Sequence, residues 1–186
     1  MDDLMGYFII GGILIGAVII LYLPVFFLLK GRVSAIRQLC IVLFAACCCI
    51  VLYATIFSAW GQDAFHPAQH HLNLLPLRML DESGGMLTDK MVVQIFANIL
   101  MFIPCGFLLP IVFSRMRSFG RTALMIFFAS FSIEFLQYFL GAAADIDDVI
   151  LNLLGGILGY VLFAGVSRYL QRKHARLKLS GGNHYR

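Results

Sequence analysis

SIEFLQYFLGAAADIDDVILNLLGGILGY, residues 132–160, is the stretch on which the fold of this chain turns. Two strongly apolar segments meet there at a short acidic turn. Within the apolar flanks sit Glu134, Gln137 and Asn152. Hydrocarbon tolerates such groups only where they face protein, water or a ligand.

Working outward, the composition places the whole chain in the same class. It is 61% hydrophobic and 13% charged, with a mean hydropathy of +0.89, far from the balance of a soluble domain. Apolar runs of about 20 residues, the length that crosses a bilayer core, fall at 4–29, 36–60, 91–113, 122–140 and 146–166. The remainder is two short basic loops, an outer loop, the acidic turn and a basic tail at 167–186. The expected fold is all-α: one polytopic bundle of five membrane helices over residues 1–186, without a soluble module.

The charges orient it. Lys30, Arg32 and Arg37 lie between the first two runs, and Arg115, Arg117 and Arg121 between the third and fourth. Arg168, Arg172, Lys173, Arg176, Lys178 and Arg186 follow the fifth. The positive-inside bias then predicts an outer amino terminus and a cytoplasmic carboxyl terminus. All acids except Glu134 fall on the predicted outer side. The net charge of +4 is read as a topology signal and an attraction to anionic lipid, so no nucleic-acid partner is expected. The first run begins with Asp2 and Asp3 and carries its positive charge after the apolar part, which is the pattern of a retained span rather than a signal peptide.

In chain order, Gly12 and Gly16 form a small-xxx-small pair suited to helix packing, and Pro24 is expected to bend the first helix. Cys40, Cys47, Cys48, Cys49 and Cys105 read as small apolar groups rather than a metal or disulfide set. His66, His70, His71 and Asp63 could in principle hold zinc, but the plain reading is a solvated or interfacial loop. The segment NLLPLR at 73–78 is too short to cross and is expected to dip into the outer interface, with a flexible turn at Ser83, Gly84 and Gly85. Pro104 and Gly106 predict a kink in the third helix.

Three spans carry polar stripes. Gln94 and Asn98 are four residues apart, Gln137 is three on from Glu134, and Asp145 and Asp148 lie helical steps above Asn152. Counting rise per residue puts Asn98, Glu134 and Asn152 each about 10 Å deep, in one layer. Below Asn152, Gly155, Gly156 and Gly159 make a flank for close packing. Asp147, about 100° from Asp148, points elsewhere and is expected to be solvated. The picture is an outward polar cleft with a closed floor. A device for locking helices would need only amides or hydroxyls, so a retained carboxyl favours a site.

The blocks NLLPLR, QIFANILMFIPCGFLLP (94–110), SIEFLQYF (132–139) and DIDDVILNLLGGILGY (145–160) together resemble the VanZ family of bacterial membrane proteins. The resemblance covers about half the chain. It implies a multi-span protein whose founder accompanies glycopeptide-resistance genes and lowers susceptibility to teicoplanin. The family's polar positions fall on Asn98, Glu134, Gln137, Asp145, Asp148 and Asn152, with Asn73, Pro76 and Arg78 in the outer-loop block. Relatives often carry an arginine just before the aspartate pair, where this chain has Ala142, Ala143 and Ala144. Arg78 would then have to take the place of that arginine, or the ligand differs.

Three functions follow. The preferred one is binding of a lipid-linked or lipid-tailed envelope molecule, such as a cell-wall precursor or lipoglycopeptide, by Asn73, Arg78, Gln94, Asn98, Glu134, Gln137, Asp145, Asp148 and Asn152. The second is an intramembrane enzyme acting on a lipid phosphate or ester, with Glu134 as general acid or base and Asp145, Asp148 and Asn152 holding a divalent cation such as Mg²⁺. The third is an ion or solute carrier, disfavoured because the chain shows no internal repeat and its polar layer does not continue to the cytoplasmic side.

Overall fold

In the computed structural model, which describes residues 2–57, 72–76 and 88–181, the chain is a helical bundle. Its helices are α1 (Asp2–Leu29), α2 (Ala35–Leu52), α3 (Asp89–Val112), α4 (Phe119–Phe139) and α5 (Ile146–Gly181). All five are long and apolar enough to cross a membrane. A π-helical turn, Tyr53–Phe57, extends α2, and a 3₁₀ turn, Ser114–Met116, links α3 to α4. Two short strands, β1 (Leu72–Asn73) and β2 (Ala144–Asp145), complete the described residues. Asp63, Arg78 and the loop histidines lie outside them, as does the Ser83 to Gly85 turn.

Local chemistry explains where the helices start and stop. Ser34 caps α2 by accepting from the Arg37 amide, and Thr88 caps α3 by accepting from the Met91 amide. Pro104 and Pro110 lie inside α3. At the end of α4, Gly141 adopts a positive φ of 83°. The Gly141 amide donates to the Tyr138 carbonyl and the Ala142 amide to the Gln137 carbonyl. This paired closure satisfies the last carbonyls of the helix and reverses the chain. The acidic turn is therefore compact, and α5 begins at Ile146.

The basic carboxyl-terminal segment continues α5. Beyond Val166 the chain stays helical through Gly181, because Gln171, Arg172, Lys173, Ala175 and Arg176 are good helix formers with no proline among them. At 1.5 Å per residue α5 is roughly 54 Å long, well beyond a hydrocarbon core. A helix of that length is longer than an apolar slab of ordinary thickness.

The apolar core lies between α2, α3 and α4, with Val51, Phe102, Cys105, Leu109, Ile126 and Ile133 buried together. Large apolar side chains such as Phe96, Phe128 and Val161 cover the outside, as a lipid-facing surface requires. The most extensive helix pair is α3 against α5. A Cβ on Gly155 would overlap the Ile99 carbonyl oxygen, and one on Gly159 the Ile103 carbonyl oxygen. The expected glycine flank is thus in backbone contact with α3, and it sets the distance at which polar side chains of these two helices meet. By contrast, Gly12 and Gly16 of α1 have nothing within 4 Å among the described residues, and α1 meets the bundle chiefly through α2.

Candidate functional site

At the end of the bundle where α4 turns into α5, the carboxylates are held by amides from three different parts of the chain. Asp148, in the first turn of α5, accepts from Asn98 of α3 and from Gln94 one turn along, at 3.2 Å to one oxygen and 3.5 Å to the other. The four-residue spacing of Gln94 and Asn98 makes this bidentate grip possible, because both side chains leave the same face of α3.

Asp145 has a different set of partners. Its carboxylate accepts from the Asn73 side-chain amide at 3.0 Å and from the Asp147 backbone amide at 2.9 Å. The second contact caps α5. The first, together with the parallel pairing of Leu72 with Ala144 and Asn73 with Asp145, ties the start of the NLLPLR block to the acidic turn. Leu74 and Leu75 are exposed beside it. The pairing itself has no signal in composition, since two-residue strands lack any periodicity.

Glu134 is buried, and its carboxylate accepts from the Asp145 backbone amide at 2.9 Å. The glutamate of α4 thereby holds the start of α5, a role resembling a capping box whose acid comes from another helix. Deeper by one turn, Asn152 donates to the Ser130 hydroxyl at 2.9 Å. Both are almost fully enclosed, at 1% and 0% exposure, and the Asn152 carbonyl oxygen has no partner among the described residues.

The single polar layer of the sequence reading is therefore two levels. Asn98, Glu134, Asp145 and Asp148 form the outer one, and Asn152 with Ser130 the inner one. Gln137 leaves this group altogether, donating to the Thr55 carbonyl in the π-helical turn at 3.0 Å. Its three-residue offset from Glu134 is enough to rotate it toward α2. Asp147 also differs from expectation. It is 6% exposed and has interactions of its own within the structure. Ser130 escaped notice although it lies four residues before Glu134 on the same face, a spacing that could have revealed it.

For a divalent cation, the fit is modest. Among the described residues no three His, Cys, Asp or Glu side chains converge as a ligand set. Asp145, Asp148 and Asn152 each have separate hydrogen-bond partners. What the cluster does supply is half-buried and buried carboxyl groups matched by amides, beside an apolar cavity of about 350 Å³. That cavity runs along Phe131, Phe135 and Phe139 of α4 and Val149 of α5 to a polar end at Glu134, Asn73 and Asp145.

The family model for VanZ/LLP1 matches residues 40–168. The chain belongs to the VanZ/LLP1 family. Protein VanZ from Enterococcus faecium is 30% identical over 112 residues, which are 60% of this chain and 63% of that relative. No solved structure matches the chain. Within the VanZ/LLP1 match lie both strands, most of α2, the whole of α3 and α4, and α5 as far as Arg168, hence every residue of the amide and carboxylate cluster. Helix α1 lies outside it.

Proposed function

We propose that this VanZ/LLP1 protein binds a lipid-linked or lipid-tailed cell-envelope molecule at the acidic end of its bundle, and through that binding lowers susceptibility to teicoplanin. The observation that carries the reading is an apolar cavity lined by Phe131, Phe135 and Phe139 that also touches Asn73, Glu134 and Asp145. An amphipathic site of this kind suits a ligand with an acyl tail and a polar head. Teicoplanin has both, and so does a lipid-linked wall precursor.

The basic loops support an orientation with the acidic end outward and α5 ending in the cytoplasm of a bacterial cell, where the cavity would face outer-leaflet lipid. Glu134 and Asp145 act as acceptors at the cavity; Asn98 and Gln94 hold Asp148 near them, and Arg78 is a further candidate contact.

The test is teicoplanin and vancomycin susceptibility in a sensitive Gram-positive host expressing wild type, Glu134→Gln or Asp148→Asn at equal membrane levels. Protection against teicoplanin that exceeds protection against vancomycin, and that both variants lose, is the expected result. Absence of protection by the wild type sinks the resistance role. Equal protection by wild type and both variants removes the site from the acidic end.

A further inference from the structure

The opposite end of the bundle holds a second pocket, of about 250 Å³, between the start of α2 and the turn after α3. Arg37 and Arg117 line it with the hydroxyl-bearing Ser34 and Ser114, and Ile36 and Ile111 form an apolar side. Among the described residues neither guanidinium has a hydrogen-bond or ion-pair partner. None can come from nearby sequence, because residues 4–62, 90–133 and 149–186 contain no Asp or Glu. Two like charges thus line one pocket with no carboxylate beside them among the described residues, an arrangement that suits an anion.

The helix start and the turn that present these arginines are fixed by hydrogen bonds. The buried Gln38 side chain donates to the Val33 carbonyl at 3.1 Å and holds the turn before Ser34. On the other wall, buried Thr122 donates to the Met116 carbonyl, Arg121 to the Arg115 carbonyl at 3.0 Å, and Tyr160 of α5 to the Arg117 carbonyl at 2.8 Å. Such backbone anchoring lowers the ordering cost of a binding site.

We infer that the pocket bearing Arg37 and Arg117 binds the phosphate of an anionic phospholipid, with the acyl chains lying along the bundle beside Ile36 and Ile111. Arginine suits phosphate through its planar fork of donors, and the two hydroxyls add further donors. A free phosphate would use the same charges but not the apolar side. Arg37 precedes the VanZ/LLP1 match at 40–168, so the pocket unites a residue outside the family match with one inside it.

The full chain, purified in detergent, is exposed to mixed micelles of equal phosphatidylglycerol and phosphatidylcholine, and retained lipid is counted by native mass spectrometry. Wild type retains phosphatidylglycerol preferentially. Arg37→Gln combined with Arg117→Gln lowers that retention by roughly tenfold or more. Arg168→Gln with Arg172→Gln, which removes equal charge from α5, leaves it unchanged. Ser114→Trp keeps both arginines but fills the pocket, and it produces the same loss as the arginine pair with an unchanged melting temperature. Equal loss from the α5 variant, full retention by the pocket variants, or displacement of the lipid by inorganic phosphate at similar concentration overturns the inference.

Discussion

Helices α1 and α5 carry glycines at similar helical spacing, yet they are used in opposite ways. In α5, Gly155, Gly156 and Gly159 are pressed against the backbone of α3 and the side chain of Ile126. In α1, Gly11, Gly12 and Gly16 meet open space among the described residues. Both helices are apolar enough to cross a membrane. The difference is that α5 also has Asp148 gripped by Gln94 and Asn98, and Asn152 bonded to Ser130. Small residues permit close approach, but between apolar helices in lipid there is little hydrophobic drive to bring them together. The polar pairs choose the partner.

Substitutions test this contrast most sharply at the glycines. Gly159→Leu forces a side chain into the α3 backbone and is expected to abolish folded protein, or to cost well over about 3 kcal/mol. Gly16→Leu should stay within about 0.5 kcal/mol. Thermal unfolding in detergent reads both. If the two behave alike, the close seam between α3 and α5 is not what organises the bundle.

Removing the grip comes next in size. Asp148→Ala leaves two amides without their acceptor and is expected to cost about 2 to 3 kcal/mol. Asp148→Asn should lose less than half of that, since its carbonyl still accepts from Asn98. A double-mutant cycle of Asp148→Ala with Asn98→Ala isolates the pair, and a coupling near zero would show that Asp148 stabilises by some other contact.

Smaller effects are expected where the contact supports a loop rather than a helix seam. Asn73→Ala removes one of the two donors to Asp145 and should cost about 1 kcal/mol, visible as faster hydrogen exchange at Leu72 and Asn73. Gly141→Ala places a Cβ at a positive φ and should also cost about 1 to 2 kcal/mol. An unchanged melting temperature in that variant would mean that the reversal after α4 tolerates a different geometry.

A second contrast concerns charge. The acidic end satisfies its carboxylates inside the chain, with amides from α3, from β1 and from the backbone of α5. At the basic end the Arg37 and Arg117 guanidiniums meet no protein acceptor among the described residues, and the acids of the sequence lie elsewhere. One end is internally matched and the other looks outward for anions. Loss of teicoplanin protection in Glu134→Gln, with phosphatidylglycerol retention intact, would separate the two sites. The reverse result in the arginine pair would complete the separation.

Length and apolar content alone determined the five helices, because a bilayer span needs a run that no other element of this chain could provide. Four-residue spacing also brought Gln94 and Asn98 onto one face, and the glycine flank of α5 was readable from its small residues. Helical phase could not say what stands opposite each face. Gln137 was aligned with Glu134 by counting, yet it bonds to Thr55; Asp147 was assigned to water, yet it is buried. The first depends on a neighbour 82 residues away in the chain, and helical phase alone carries no information on burial by the rest of the fold. The same holds for the strand pair joining Asn73 to Asp145, which has too few residues to leave a pattern, and for the two arginines that line one pocket from separate segments. Periodicity determines which side chains share a face, because that is local geometry; tertiary packing decides which of those faces find partners, because that depends on how helices far apart in sequence come to lie against one another.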